Sequence, residues 1–232
     1  MNIREQSLHI EDIPTLLVFP HDPRDAASNG TVLFYHGLFS RKEEGMRELY
    51  SLARQGYLAI GIDNVGHGER VESEENFPGN PEANYLAKVT DTIQEIPSLV
   101  SRLVELGLAH EDHIGISGIS MGGFIAFGSI LVEPRIKCCA PILGSPKWNH
   151  SLSPHLYLER FSTVALLAQN AAQDESVPPH HAKNFMNLLK KKFAKHSSRL
   201  QYREFPNSGH FMDETEWYEL WENVLAWFHR YI

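Results

Sequence analysis

The residues of this chain most capable of chemistry lie in residues 113–123, H-I-G-I-S-G-I-S-M-G-G. A Gly-x-Ser-x-Gly turn, formed by Gly118, Ser120 and Gly122, joins an apolar run to the apolar segment F-I-A-F-G-S-I-L-V. This pattern predicts a buried strand, a sharp turn that exposes a serine hydroxyl, and a buried helix whose positive end faces that hydroxyl. We therefore predict that Ser120 is a nucleophile. The alternative is a glycine-rich turn in which Ser120 only caps the helix.

A serine hydroxyl is a weak nucleophile at neutral pH, so it needs a base and a group that orients the base. The chain has 13 histidines, so position must choose among them. His210, in N-S-G-H-F, follows the last predicted strand, and Asp174, in A-A-Q-D-E-S-V-P-P, follows the strand before it. The order Ser120, Asp174, His210 is that of a known triad arrangement. Glu175 and Asp213 are alternatives to Asp174 as the acid.

Strands that alternate with helices are expected to position these side chains. Besides the strand before Ser120, we predict strands at residues 8–10 and 15–19 (an edge hairpin), 31–35, 57–63, 136–143, 163–168 and 199–205. Besides the helix after Ser120, we predict helices at residues 40–55, 85–106, 179–195 and 213–231. Apolar strands separated by helices indicate an α/β fold with a largely parallel sheet. In such sheets functional residues gather at the carboxyl ends of the strands, where all three candidates fall.

Local signals add detail to this outline. Ser40 and Glu43 match a capping box at the start of the helix predicted from residue 40. Pro97 predicts a kink or break in the helix at residues 85–106. Residues 20–30 and 69–84 are rich in turn-forming residues and are predicted to be loops.

The composition is that of one globular domain over residues 1–232. A formal net charge of −8 argues against a nucleic-acid partner. The start of the chain lacks an apolar signal core and no stretch approaches the length of a membrane span, so we expect a cytoplasmic protein without membrane partners. Two adjacent cysteines, Cys138 and Cys139, lie in an apolar run and are expected to be buried thiols. Nothing in the sequence indicates a metal site or a cofactor.

Motifs spread from residue 34 to residue 210 resemble the α/β-hydrolase superfamily: F-Y-H-G-L-F-S-R-K-E, D-N-V-G-H-G, G-I-S-M-G-G, D-E-S-V-P and S-G-H. The chain is most similar to the small dienelactone-hydrolase, prolyl-oligopeptidase-like and feruloyl-esterase-like serine hydrolases. The resemblance implies an α/β-hydrolase fold with Ser120 as nucleophile, His210 as base and Asp174 as orienting acid. It further implies an oxyanion hole made by the backbone N–H groups of Leu38 and Met121.

Other residues near the predicted strand ends have expected structural roles. His36 is expected to anchor its loop by hydrogen bonds, and Asp63 and His67 to shape theirs. The run Q-N-A-A-Q-D lacks the glycine that relatives carry before the acid, so the turn there must differ from theirs. The short insert between residues 143 and 163 makes a large lid domain unexpected. Its apolar residues would line a small pocket or belong to the core: Trp148, Leu152, Tyr157, Leu158 and Phe161.

These features lead us to expect a carboxylesterase that needs no cofactor, cleaves a small ester with a short acyl group, and passes through an acyl-enzyme intermediate. A thioester, an amide or a short peptide is the alternative substrate for the same triad. A binding protein that kept the fold without the chemistry is the remaining alternative. The sequence is compatible with a monomer or a homodimer.

Overall fold

The structure is a computed structural model that describes residues 2–71 and 81–232. The described strands are β1 (Ile3–Ile10), β2 (Ile13–Pro20), β3 (Thr31–Tyr35), β4 (Leu58–Ile62), β5 (Ile114–Ile119), β6 (Ile136–Ile142), β7 (Ala165–Ala171) and β8 (Leu200–Phe205). The described α-helices are α1 (Pro23–Asn29), α2 (Met46–Arg54), α3 (Pro81–Glu105), α4 (Met121–Val132), α5 (His180–Lys192) and α6 (Glu214–Tyr231).

All eight strands form one sheet in the order β1-β2-β4-β3-β5-β6-β7-β8. β1 and β2 form the expected edge hairpin, and β2 runs antiparallel to β4. Every pairing from β4 to β8 is parallel. The carboxyl ends of β3 to β8 therefore meet at one edge of the sheet, which confirms the predicted α/β architecture.

Helices cover both faces of the sheet and divide the core into two parts. On one face, α1, α3, α4 and α5 bury apolar side chains against the sheet. On the other face, α2 and α6 do the same. β3, β4 and β7 are buried along their whole length, as expected for strands covered on both sides. Cys138 and Cys139 are free, buried thiols in β6, as expected.

Two predictions near the start of the chain are wrong, one of a loop and one of a helix cap. The turn-rich segment at residues 20–30 contains helix α1, which has Pro23 in its first turn and the Asp22 side chain accepting from the Arg24 N–H. The expected capping box of Ser40 and Glu43 does not form: residues 42–45 make a 3-10 turn before α2 begins at Met46. The N–H of Lys42 instead donates to the buried carboxylate of Asp63, 2.8 Å away. A distant carboxylate thus replaces the local cap.

α3 is longer than predicted and is not broken by its proline. It begins at Pro81 and runs through Pro97 to Glu105. The Pro97 carbonyl oxygen accepts from Ser101 Oγ and from Arg135, so side chains also bond the backbone at this position. Of the loop predicted at residues 69–84, the last four residues belong to α3, and residues 72–80 lie outside the described residues.

β7 ends three residues later than predicted, because two polar residues at its end are buried. Gln169 donates through its side-chain amide to the Leu220 carbonyl in α6, and Asn170 donates to the Gly144 carbonyl. Both residues are almost completely excluded from solvent. These bonds offset part of the cost of burying the amides, although Asn170 Oδ1 is buried without a hydrogen-bond partner. The strand continues to Ala171.

The segment between β6 and β7 adds no lid domain. It contains two short 3-10 turns, Pro154–Leu156 and Leu158–Phe161. Within the described part of the chain, no helix is long and apolar enough to span a lipid bilayer.

Candidate active site

Ser120 lies on a sharp turn between β5 and α4, at the centre of the sheet edge. Its backbone has φ 55° and ψ −112°, a conformation that non-glycine residues rarely adopt. The hydroxyl makes no capping hydrogen bond to α4. This argues against the alternative in which the Ser120 side chain only caps the helix. The turn needs small neighbours: a Cβ on Gly118 would lie 2.5 Å from the Gly122 carbonyl oxygen, and a Cβ on Gly122 would lie 2.0 Å from the Tyr35 carbonyl oxygen.

Three side chains from separate strand ends form a continuous hydrogen-bond chain. His210 Nε2 lies 3.0 Å from Ser120 Oγ, and His210 Nδ1 lies 2.8 Å from Asp174 Oδ2. Ser120 follows β5, Asp174 follows β7 and His210 follows β8. The structure therefore brings together the three residues that the sequence singled out.

The Asp174 side chain is fully buried and accepts three hydrogen bonds. Its Oδ1 accepts from the N–H groups of Ser176 (2.9 Å) and Val177 (2.8 Å), while Oδ2 faces His210. The buried carboxylate therefore replaces its lost hydration with fixed hydrogen-bond donors. Of the alternative acids, Glu175 is exposed and Asp213 accepts from the Thr215 N–H as the cap of α6.

The loop that carries His210 is tied to α6 and to the Asp174 loop. Glu216 in α6 accepts hydrogen bonds from the backbone and side chain of Asn207 and from Ser208 Oγ. The Gln173 N–H donates to the Ser208 carbonyl oxygen. These bonds fix the position of the His210 loop before any substrate binds. Glu216 was not singled out from the sequence, since an acid in the first turn of a helix is common for electrostatic reasons alone.

Leu38 and Met121 belong to two backbone segments next to the serine, the turn after β3 and the start of α4. Met121 is the first residue of α4, so its N–H has no helical partner one turn earlier. Leu38 lies in the turn after β3. A Cβ on the preceding residue, Gly37, would lie 3.9 Å from Ser120 Cβ. The backbone of this turn therefore packs directly against the serine.

An open cleft of about 700 Å³ lies above Ser120 and His210. Apolar side chains line most of it: Leu38, Phe39, Tyr85, Ile119, Phe124, Leu143, Val177, Phe211, Met212 and Trp217. Phe39 and Phe211 are largely exposed at its rim. No Asp or Glu is among the described residues that line it. The cleft is therefore suited to an uncharged, apolar substrate.

The residues expected from sequence to form a small apolar pocket do not line this cleft. Phe161 packs edge-on against Phe185 in the core, and Trp148 is buried beside Phe124. Tyr157 is exposed, and Leu158 packs against the core. The core interpretation is thus the better one for Trp148, Leu158 and Phe161. The cleft is lined instead by the turn after β3 and by the segment around His210.

His36, Asp63 and His67 all serve the loops at the ends of β3 and β4, as expected. The Asp63 carboxylate accepts from Lys42 Nζ at 2.9 Å and from the Glu69 N–H at 3.0 Å. Burial lowers the pKa of His36 from 6.5 to about 4, although nearby Asp63 acts in the opposite direction. Burial also lowers the pKa of His67. Both imidazoles are therefore neutral at pH 7.

The buried Lys42 is the residue of this group that the sequence reasoning missed. Its ammonium contacts Asp63, Glu43 and Glu69. A lysine in a charged segment gives no signal of burial, because lysine is almost always exposed. Within residues 2–71 and 81–232, no group of three or more His, Cys, Asp or Glu side chains is arranged to hold a metal ion.

A mostly parallel eight-stranded sheet with a strained serine turn after β5 defines an α/β-hydrolase. A solved structure described as "Putative Dienelactone Hydrolase" from Klebsiella pneumoniae superposes with a TM-score of 0.74, at 18% identity and with 100% of both chains covered. At that identity the likeness concerns the fold alone. The chain belongs to the family described as serine aminopeptidase, S33, whose sequence model matches residues 26–204.

Two bacterial proteins named as esterases are similar in sequence. "Putative esterase YitV" of Bacillus subtilis (strain 168) is 25% identical over an alignment of 254 positions that covers 94% of this chain and 98% of YitV. Esterase YjfP of Escherichia coli (strain K12) is 27% identical over 143 residues, which cover 62% of this chain and 56% of YjfP. Together with the family match, these similarities identify the chain as an esterase-type hydrolase.

Proposed function

We propose that the protein is a carboxylesterase in which Ser120, His210 and Asp174 act as a catalytic triad. The observation that carries the proposal is the unbroken hydrogen-bond chain from the strained Ser120 hydroxyl through His210 to the buried Asp174 carboxylate. Each residue lies at a strand end where a base or an acid can reach the serine. The esterase names of its relatives agree with this chemistry.

The geometry supports a two-step reaction. Ser120 Oγ attacks the ester carbonyl carbon while His210 Nε2 takes the hydroxyl proton, and Asp174 stabilises the imidazolium that results. His210 then returns the proton to the alcohol that leaves, and an acyl-serine remains. A water molecule, deprotonated by the same imidazole, then attacks the acyl carbon. The bond to Ser120 Oγ breaks, His210 returns the proton to that oxygen, and the acid is released. The N–H groups of Leu38 and Met121 are the proposed donors to the oxyanion in both steps.

We propose that the preferred substrates are esters with a short acyl group. The cleft is open, and among the described residues no inserted domain covers it. A long acyl chain would therefore leave much of its apolar surface in water, so added methylenes would contribute little binding free energy. The uncharged lining favours a neutral ester over a charged one.

Hydrolysis of a peptide is the second candidate, because the family is named for an aminopeptidase. An aminopeptidase must bind the α-ammonium group of its substrate, and a buried ammonium group needs a carboxylate or several acceptors. The described residues that line the cleft include no carboxylate. The nearby carboxylate of Asp174 is buried and is hydrogen-bonded to His210. The site therefore favours esters over peptides with a free amino terminus.

Hydrolysis of p-nitrophenyl esters from acetate to dodecanoate tests the proposal. The rate is expected to peak at the short esters and to fall to background in Ser120→Ala, a loss on the order of 10⁶-fold in kcat. Ser28→Ala, which removes an exposed hydroxyl on α1, is the matched control and should keep full activity. A fluorophosphonate probe should label wild type once per chain, and Ser120→Ala not at all. Unchanged hydrolysis by Ser120→Ala would refute the triad, and a maximum at long esters would refute the short-acyl proposal.

A further inference from the structure

The apolar residues of the cleft divide into two groups according to the face of the sheet on which they pack. Tyr85 and Phe124 pack against the core on the face covered by α3 and α4. Met212 and Trp217 pack against the core on the face covered by α2 and α6. Ser120 lies at the edge of the sheet, between these two faces. The cleft therefore has two ends, and an ester attacked by Ser120 can place its acyl part in one and its alcohol part in the other.

Trp217 forms part of the wall at the end of the cleft that it shares with Met212, which we call the α6 end. Its Nε1–H donates to Glu48 Oε1 in α2 at 3.2 Å. The other three tryptophans of the chain each have a buried Nε1 without a hydrogen-bond partner among the described residues: Trp148, Trp221 and Trp227. The tryptophan that lines the cleft is therefore the one whose indole N–H is fixed to another side chain.

The acceptor of this hydrogen bond is a buried carboxyl group. Glu48 is 5% exposed, and burial raises the pKa of its carboxyl group, although the hydrogen bond from Trp217 acts in the opposite direction. Either protonation state leaves an oxygen that can accept from the indole. The preceding residue, Arg47, packs over the ring of Tyr218, with Cζ 4.3 Å from the ring centroid. Two consecutive residues of α2 thus hold two consecutive residues of α6.

The hydrogen bond to Glu48 fixes a torsion angle that tryptophan otherwise leaves broad. The χ2 torsion of an aromatic side chain joins an sp³ to an sp² carbon and has no sharp minima, so several ring orientations are accessible. Trp217 is only partly buried, so packing restricts its ring less than that of a core residue. A hydrogen bond at Nε1 selects one orientation. Glu48 therefore determines how the indole ring is presented to the cleft.

We propose that Trp217 is a specificity-determining residue, whose indole ring limits the length of the ester group that occupies the α6 end, and that Glu48 is the positioning residue that fixes this ring. The inference rests on the proposed function, because the group in question belongs to the ester that Ser120 attacks. A group longer than the space beside the ring must extend into solvent, so its extra methylenes gain no burial. Glu48 is not among the residues that line the cleft and acts through Trp217.

Two series of esters test this proposal. p-Nitrophenyl esters from acetate to octanoate vary the acyl part, and alkyl acetates from methyl to hexyl vary the alcohol part. The quantity compared is the ratio of kcat/KM for the longest ester to kcat/KM for the shortest ester of one series. Both values are measured on one preparation, so the ratio does not depend on the fraction of active protein. Reduced folding of a variant therefore cannot change it.

Removal of the ring should raise this ratio in one series and not in the other. In Trp217→Ala, each methylene that enters the space of the lost ring is expected to raise kcat/KM by about fourfold. The rise should come mainly from a lower KM, because this contact is the same in the ground state and in the transition state.

Substitutions at Glu48 separate the positioning of the ring from its presence. Glu48→Met should raise the same ratio by less than Trp217→Ala does, because the ring remains but can turn. Glu48→Gln should restore the wild-type ratio, because its amide oxygen accepts from the indole N–H. Arg47→Met is the matched control: it removes the neighbouring contact between α2 and α6 and should not alter the ratio.

NMR of the indole N–H groups tests the hydrogen bond without an activity assay. The Trp217 signal, identified by its absence from Trp217→Phe, should shift in Glu48→Met and stay near its wild-type position in Glu48→Gln. If Glu48→Met does not fold, Trp217→Phe replaces it in the ester assay, because it removes the same hydrogen bond from the indole side.

The outcomes separate this inference from the proposed function. For Trp217→Ala, a rise of the ratio in both series or in neither would overturn the inference while wild-type esterase activity still stood. Equal effects of Glu48→Met and Glu48→Gln, or an unmoved indole signal in Glu48→Met, would do the same. A wild-type protein that neither hydrolyses esters nor reacts with a fluorophosphonate would overturn the proposed function, and this inference with it.

Discussion

Replacing Asp174 by asparagine tests the triad through the directions of its hydrogen bonds. One carboxylate oxygen accepts two backbone N–H groups, from Ser176 and Val177, and the other faces His210 Nδ1. In Asp174→Asn the amide oxygen must face the two N–H groups, since the NH₂ group cannot accept from them. The NH₂ group then faces His210 Nδ1. The imidazole must therefore accept at Nδ1 and carry its proton on Nε2.

This reversed tautomer cannot do the work that the mechanism requires. With its proton on Nε2, His210 would donate to Ser120 Oγ and could not take the hydroxyl proton. The wrong tautomer in a serine triad costs about 10⁴-fold in kcat, or about 5 kcal/mol of transition-state stabilisation. The side chain keeps its shape and its bonds to the backbone. We therefore expect the melting temperature and KM to change little.

The assay is steady-state hydrolysis of p-nitrophenyl acetate by wild type, Asp174→Asn and Glu175→Gln. Glu175→Gln is the matched control, because it removes the same charge from the exposed neighbouring residue and should keep wild-type kcat. A loss of less than about tenfold in Asp174→Asn would refute the assigned hydrogen-bond directions and Asp174 as the orienting acid. An equal loss in Glu175→Gln would point instead to the net charge of the loop.

Two further predictions concern stability. Gly122→Ala is expected to destabilise the fold by more than about 3 kcal/mol, because the new Cβ would lie 2.0 Å from the Tyr35 carbonyl oxygen. Gly56→Ala is the control, because Gly56 has a left-handed backbone (φ 99°) but no such close contact. Thermal unfolding should show a much smaller loss of stability for Gly56→Ala, about 1–2 kcal/mol. Because the pKa of His36 is lowered to about 4 in the folded protein, the unfolded chain takes up a proton below pH 6.5 that the folded protein does not bind. A contribution to the free energy of unfolding on the order of 3 kcal/mol is therefore present above pH 6.5 and lost as the pH falls toward 4. Urea unfolding at pH 7 and pH 4.5 should show a smaller effect of pH for His36→Asn than for wild type, and an equal effect would contradict the assignment to His36.

The strands of the sheet could be predicted because each is marked by a local pattern in the sequence. β3 was predicted at its observed bounds, since T-V-L-F-Y is a short apolar run between turn residues and is buried throughout. Most other strands differ from their predicted ends by a few residues. In a parallel sheet, knowing where the strands end is enough to bring together side chains that follow different strands. The convergence of Ser120, Asp174 and His210 could therefore be foreseen without knowing any tertiary contact.

The errors arise where a distant group replaces a local one. Ser40 matched a capping box, but the Asp63 carboxylate from the next strand bonds the Lys42 N–H instead. The strand that became β7 was predicted to end at Ala168, just before Gln169, whose side chain donates to the Leu220 carbonyl in α6. A local pattern cannot report a partner that is far away in sequence. Local preferences for caps and strand ends describe polar residues that are exposed or have no distant partner. A buried hydrogen bond to a distant group overrides these preferences.

The same limit explains why the positioning of the site was harder to predict than its chemistry. The reacting groups must be specific residue types, so serine, histidine and aspartate leave a pattern in the sequence. The groups that hold them act through backbone atoms and through residues that are common elsewhere, such as Glu216 on the His210 loop and Asn64 on His36. The effect of these holding groups on kcat should therefore depend on the geometry they maintain. Substitutions that preserve a hydrogen bond at the right atom should preserve activity, even where the residue type changes.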